Sequence, residues 1–200
     1  MSTQDDLRAI ALAEFAASGY SATSLQRIAE KAGMSKASVL YHFESKELLL
    51  ADIVSPALND LEGLLDSLGR AGGLRHADFV ESFVDLLLQH REVVPLVINQ
   101  GATLNDVPVM RRATELMRGV AELFRLASGS TTEKLRFGVA FGGVAYTLAA
   151  AERLGLSGEI PTGDLRAALI LILHELLVPG TDTASGTGTA STSPLDPTPR

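Results

Sequence analysis

Between Thr23 and Lys46 the chain reads TSLQRIAEKAGMSKASVLYHFESK, and its groups able to make directed contacts are clustered. Lys36, Ser38, Tyr41 and His42 lie within seven residues, with Ser24 and Gln26 a short way upstream. Ammonium, hydroxyl and imidazole groups at this spacing suit hydrogen bonding to base edges and phosphate oxygens, which needs no covalent step. Bond-making chemistry has no comparable candidate. His42, His76, His90 and His174 are scattered, no cysteine exists, and neither a Ser-His-Asp order nor a glycine-rich phosphate loop is present. Neither a catalytic residue, a metal site nor a cofactor is expected.

The contact residues need helices to hold them. Thr23 and Gln26 have capping-box spacing, which predicts a short helix from Ser24 to Ala32 with Leu25, Ile28 and Ala29 on its apolar face. Gly33 supplies the left-handed residue that ends this helix, and Ser35 caps the next. That second helix, Lys36 to Phe43, turns Val39 and Phe43 inward against Phe15 and Ile28. Lys36, Ala37, Ser38, Tyr41 and His42 then face outward, on a surface that a major groove can admit. Ser45 caps a following helix, predicted from Lys46 to Leu68. Lys46 stands near its start, where the helix dipole disfavours a cation unless an anion such as phosphate meets it.

Phe15, Gly19-Tyr20, Thr23-Ser24, Ile28-Ala29, Ala32-Gly33-Met34-Ser35, Tyr41-His42-Phe43 and Ser45-Lys46-Glu47-Leu48-Leu49 follow one another in a characteristic order. In this pattern the first 50 residues resemble the DNA-binding domain of the TetR family of bacterial transcriptional regulators. The resemblance implies that Lys36 to His42 is the recognition helix, with Lys36, Ala37 and Ser38 nearest the bases. It places Tyr41, His42, Lys46 and the Thr23-Ser24 pair on phosphates, while Gln26 reaches a base or completes the cap. Ser35, as the cap, belongs to the same surface. Leu40 stands where the family often has tyrosine, which exchanges a phosphate contact for an apolar touch on a thymine methyl.

Composition bounds the rest. The 200 residues are 46% apolar and 20% charged, with a net charge of -7, which excludes a wholly disordered chain. Residues 1–46 carry five Lys or Arg against five Asp or Glu, and residues 47–200 carry twelve against nineteen. Acidity therefore belongs to the body, and affinity for DNA leans on a few phosphate contacts with a steep salt dependence. The N-terminus lacks the basic and apolar regions of a signal peptide, and the apolar run from Phe137 to Ala151 is shorter than the roughly 18 residues a span needs. A cytoplasmic location and no membrane partner are expected.

Apolar residues recur at three- and four-residue intervals, which predicts an all-α fold. Breaks at Gly19-Tyr20-Ser21, Gly69 to Gly73, Asn105 to Pro108, Gly129 and Ser157 to Gly163 leave helical stretches at 45–68, 76–90, 107–127, 131–154 and 163–178. The expected organisation is a helix-turn-helix head (1–46), a helical effector-binding and dimerisation domain (47–178), and a disordered tail (179–200). In the tail, 16 of 22 residues are Gly, Pro, Ser or Thr. Pro56, inside the helix joining head to body, removes a backbone hydrogen bond and is expected to kink it, forming a hinge.

The resemblance further implies a homodimer reading a palindromic operator, with half-sites about 34 to 36 Å apart. Gly138, Gly142, Ala145 and Ala149 form a small-residue line for close helix approach, and Leu165, Ala168, Leu169, Ile172 and Leu176 give the last helix an apolar stripe. Burial of both stripes within one subunit is the plainer alternative. A small-molecule effector region falls in the middle of the chain, with Phe79, Phe83, Leu86, Met110, Met117, Phe137 and Phe141 as apolar wall. Asn99, Gln100, Thr103 and Thr114 are its candidate polar groups, and the ligand is expected to be uncharged and mostly apolar. Ordinary core packing accounts for each of these residues singly. The expected function is a ligand-responsive repressor. The alternatives are a regulator answering to a protein partner or to nothing, and a helical carrier or enzyme that keeps the head as a structural unit.

Overall fold

The computed structural model describes residues 3–68, 77–151 and 160–177, and every element among them is helical. The tail from 179 to 200, the Gly69 to Gly73 break and residues 157–159 of the Ser157 to Gly163 break lie outside these residues. Three helices build the head: α1 (Thr3–Ser18), α2 (Leu25–Lys31) and α3 (Lys36–His42). Leu7, Ala11, Glu14 and Phe15 put the buried face of α1 at helical spacing, and Asp5 and Asp6 in its first turn complement the helix dipole. Gly19 (φ 81°) and Gly33 (φ 65°) end α1 and α2 in the left-handed region, where a side chain would be strained.

The expected capping box is replaced by a simpler arrangement. Ser24, one residue later than predicted, is the N-cap of α2 and accepts from the Arg27 N–H, while Gln26 donates to Glu30 at 2.8 Å. Ser35 and Ser45 cap α3 and α4 as their positions predict.

The fourth helix, α4 (Lys46–Ser67), runs as one helix through Pro56. Its first half is tied to α1 by Arg8 to Asp52 at 2.5 Å. Its second half is tied to α7 (Pro108–Leu126) by a two-pronged pair from Arg112 to Glu62, at 3.1 and 2.6 Å, with Asn59 at 2.8 Å from the same guanidinium. Pro56 sits between the two ties and lacks the N–H that would bond the carbonyl of Asp52.

The body continues with α5 (Ala77–Gln89), α6 (Val94–Gln100), α7, α8 (Thr131–Phe137), a π-helical turn (Gly138–Gly142), α9 (Gly143–Ala149) and α10 (Thr162–Leu177). Helix α6 is not among the predicted stretches: its seven residues, VPLVINQ, are rich in β-branched side chains and hold a proline in the first turn. Packing supplies what propensity lacks, because Val94 enters one core and Leu96 the other. The first core joins α1 to α4 with Val93, Leu96, Leu104, Val109, Met110 and Ala113. In the second, Phe79, Val80, Val84 and Leu87 meet Phe137, Phe141, Val144, Leu148, Leu169, Leu173 and Leu177. Among the described residues, no helix is long and apolar enough to cross a membrane.

Candidate nucleic-acid interface

Helix α3 is short, so its outward face depends on how firmly its inward face is held. Val39 is wholly buried and Phe43 nearly so, which leaves Lys36, Ala37, Leu40 and Tyr41 exposed. Tyr41 is 87% exposed, a costly position for an aromatic ring unless a partner meets it, and its ring lies edge-on to His42 with centroids 5.4 Å apart. The Ser35 hydroxyl accepts from the Ser38 N–H at 3.0 Å and lies 2.8 Å from the Ser38 hydroxyl. Those two serines hold the start of α3 as a rigid corner, with Lys36 projecting beside them. Ser24, Gln26 and His42 complete the exposed and half-exposed set.

Two expected contact residues make bonds within the head. Thr23 is 1% exposed and donates its hydroxyl to the carbonyls of Gly19 (2.9 Å) and Glu14 (3.2 Å), so it is a rivet between α1 and the turn and no phosphate ligand. Lys46 donates to the carbonyls of Tyr20 and Thr23, each at 3.0 Å, and stands 4.1 Å above the Tyr20 ring. The cation that looked misplaced against the helix dipole has found its compensation inside the protein. Burial, with Glu47 beside it, pushes the Tyr20 phenol up to about 12.

The residue that sequence reasoning missed is Glu14. It is 2% exposed on the apolar face of α1, where one carboxylate oxygen takes Lys31 and the other takes Arg27 at 2.5 Å. Its pairing with Lys31 first, and with Arg27 after it, holds the carboxyl below its ordinary value. The signal was in the sequence: Glu14 occupies the i+7 position from Leu7, on the buried side of the helix.

The expected effector residues do not converge. Phe79, Phe83, Phe137 and Phe141 do gather, joined by Phe124, with ring centroids 4.9 to 6.4 Å apart. Leu86 packs at the margin of this cluster, but Met110 is buried in the other core. Gln100 points away altogether: its carbonyl oxygen accepts from the Tyr20 N–H and its amide donates to the Phe15 carbonyl, both at 2.9 Å, tying α6 to the end of α1. Thr114 bonds back to the Met110 carbonyl, Thr103 to the Gln100 carbonyl, and Asn99 and Met117 are exposed. Two surface clefts, of about 480 and 580 Å³, are lined by none of these residues.

The expected dimer residues divide in a similar way. Gly138, Gly142, Ala168 and Ile172 are exposed, whereas Leu169 is buried in the subunit's own core because it packs with Leu173 against α5 and the π-helical turn. Ala145, Ala149, Leu165 and Leu176 are half-buried against the same core. Leu135, Val139, Tyr146 and Leu171, each more than half exposed, extend the outward apolar face instead.

The sequence from residue 7 to 53 matches the model for "Bacterial regulatory proteins, tetR family". Over 115 residues the chain is 31% identical to the HTH-type transcriptional repressor KstR2 of Mycolicibacterium smegmatis, a match spanning 54% of this chain and 54% of that protein. The chain thus spans about half the length of that curated relative. A structure of a TetR transcriptional regulator family member from Streptomyces coelicolor A3 is 26% identical, with a TM-score of 0.66 over 86% of this chain and 91% of that one. The ketosteroid transcriptional regulator KstR2 of Mycobacterium tuberculosis shares the fold at 16% identity, with a TM-score of 0.61 over 87% and 94% of the two chains.

Proposed function

We propose, from the premise that the chain belongs to the TetR family of bacterial regulatory proteins, that it is a dimeric repressor that occupies a palindromic operator and is released by a small effector. The observation that carries the reading is the exposed face of α3: Lys36, Ala37, Leu40 and Tyr41 project from a helix locked by Val39, Phe43 and the Ser35 cap. Ser24, Gln26, Ser38 and His42 flank that face. A helix so presented fits a major groove, with base readout from its first turn and phosphate contacts from Tyr41 and His42.

Two such heads need a two-fold axis. The outward apolar face of α8 to α10 supports one: Leu135, Val139 and Tyr146 on one side and Leu171 and Ile172 on the other remain solvent-exposed in the single chain. Glycines 138 and 142 on the same face allow close approach of a partner helix. Val139→Lys with Leu171→Lys should convert the dimer to a folded monomer, read by sedimentation, and lower operator affinity by at least about tenfold through loss of bivalent binding. A dimer that survives both changes refutes this interface.

The effector's seat is the phenylalanine cluster around the π-helical turn, since such turns interrupt the helix ladder where a function uses the interruption. Five rings favour an uncharged, apolar molecule. Because the rings already fill this core, a second reading stands beside it, in which the body answers to a protein partner or to no signal. Phe124→Trp distinguishes the two. The chain has no other tryptophan, so its emission reports on the cluster alone. A ligand that shifts this emission and releases the operator supports the first reading, and a response only to protein supports the second. Release would pass along α4, whose halves are anchored to α1 and α7 on either side of Pro56.

Selection of bound duplexes from a random pool tests the whole proposal. A palindrome lost on Lys36→Ala with Tyr41→Ala, in a chain that still folds, is the expected result. Recovery of no preferred sequence overturns it and favours a carrier or enzyme with a structural head.

A further inference from the structure

Helix α3 carries an apolar strip on its outward face. Among residues 3–46 of the head, the large apolar side chains left in solvent are Leu40, 38% exposed, and Tyr41, and both belong to α3. Apolar residues scattered singly over a surface are ordinary, but neighbours confined to one helix are not. Ala37 is exposed as well and precedes Leu40 by three residues and Tyr41 by four, so its methyl joins the same face. Lys36 stands one turn before Leu40 on the exposed side, whereas Ser38 is half-buried and its hydroxyl is engaged by that of Ser35 at 2.8 Å. The seven residues of α3, KASVLYH, offer Lys36 but no Arg, Asn, Gln, Asp or Glu for reading base edges by hydrogen bonds. What α3 presents to a groove is therefore largely hydrocarbon.

We propose that Leu40, with Ala37 beside it, is a specificity-determining residue that reads the C5-methyl group of a pyrimidine in the major groove. This rests on the DNA-binding reading above and deepens it, because it names the chemical group that is recognised. Thymine presents that methyl in the major groove, and cytosine lacks it. An aliphatic side chain on a capped helix gains by taking the methyl out of water, and faces a void where the pyrimidine has none. Leu40 has neither a donor nor an acceptor with which to tell the O4 of thymine from the N4 amine of cytosine. The methyl itself is therefore what it reads. A 5-methylcytosine in the same place satisfies Leu40 as thymine does, so the head distinguishes methylated from unmodified cytosine there.

The test uses the full chain and a duplex selected from a random pool. Each thymine of the half-site, on either strand, is replaced in turn by deoxyuridine, which removes the methyl and leaves every hydrogen-bonding group in place. At one position the change should weaken wild-type binding by about fourfold, the worth of one buried methyl, and by about fifteenfold when both half-sites carry it. Leu40→Ala should bind the thymine and uracil duplexes alike at that position. With cytosine placed there, conversion to 5-methylcytosine should strengthen wild-type binding by about fourfold and leave Leu40→Ala as it was. Alanine suits an exposed helical position, so the variant keeps its fold. A loss of stability would lower affinity for every duplex equally, and the ratio between duplexes thus isolates the methyl contact.

Wild-type binding that is unchanged by uracil at every thymine overturns the proposal and leaves the DNA-binding reading standing, as does a selected half-site that holds no thymine. A uracil penalty that Leu40→Ala keeps in full also overturns it, since another side chain then reads the methyl. So does a penalty with no gain from 5-methylcytosine, because the contact then depends on the whole edge of thymine. If the wild type prefers no duplex at all, the DNA-binding reading fails and takes the proposal with it.

Discussion

The two cores of this molecule are held in different ways. Around the head, apolar packing is fastened by directed bonds: Thr23 to two carbonyls, Lys46 to two more, Glu14 to Lys31, and Gln100 across from α6. The body core is built from five stacked or edge-on phenylalanines and aliphatic side chains. Directed bonds fix orientation to within a fraction of an ångström, because a buried group that loses its partner has no substitute. Apolar contact is non-directional, and ring pairs add only a modest preference for one geometry. A head that must hold α3 at a fixed angle to a groove uses the first kind of core. A body that changes shape on a signal, as proposed above, is served by the second.

That contrast is tested most strongly by truncating a ring in each core. Phe15→Ala should lose about 3–5 kcal/mol of stability, with operator binding lost as well. Phe141→Ala should fall near the lower end of that range, since Phe124 and Phe137 stack beside it and can close the gap. Urea unfolding of both variants decides the matter, and a larger loss at Phe141 reverses the comparison. Next come the polar ties. Thr23→Val and Gln100→Met each leave buried backbone groups unpaired and should cost about 1–3 kcal/mol. Gln100→Met also loosens α6 from α1, so it should weaken any effector response more than it weakens DNA binding. Losses within error of zero would mean that the head is held by packing alone. Ser35→Ala, which removes the cap of α3, should cost about 1 kcal/mol and reduce operator affinity beyond what stability explains.

The smallest effects are in pH. The Glu14 carboxyl is held below its ordinary 4.5 by Lys31 and Arg27, so its contribution to stability is complete above 4.5 and is lost as pH falls through the lowered value. Glu14→Gln should flatten that acid limb of the stability curve. At the other end, the phenol of Tyr20, raised to about 12 by burial and Glu47, favours the folded state below 10, and this advantage disappears as pH climbs toward 12. Tyr20→Phe should remove the alkaline limb. Identical limbs in wild type and variants would show that neither group is linked to folding.

Much of the head was legible because its signals are local. Gly33 needs a positive φ, Ser35 and Ser45 need only the next turn of their own helix, and Val39 and Phe43 follow from helical period alone. The same locality did not reveal the internal bonds of Thr23 and Lys46. A hydroxyl at capping spacing and a cation at a helix start look like surface chemistry until the chain folds back, when Glu14, Gly19 and Tyr20 supply partners from outside their own helices. In the body, helical period located α5, α7 and α10 but could not say which apolar face is inside. Leu169 and Ile172 are equivalent in the stripe, and only packing against α5 buries one and exposes the other.

By itself, then, the sequence determined an all-helical chain with a helix-turn-helix head, an exposed α3 and an aromatic-rich middle, because period, caps and turns are properties of neighbours along the chain. Tertiary structure alone decided which cations are free, which polar groups are rivets, and which apolar stripe faces outward. Those depend on partners outside the residue's own turn, as far as 85 residues away, and no local pattern encodes which of several compatible partners a side chain will meet.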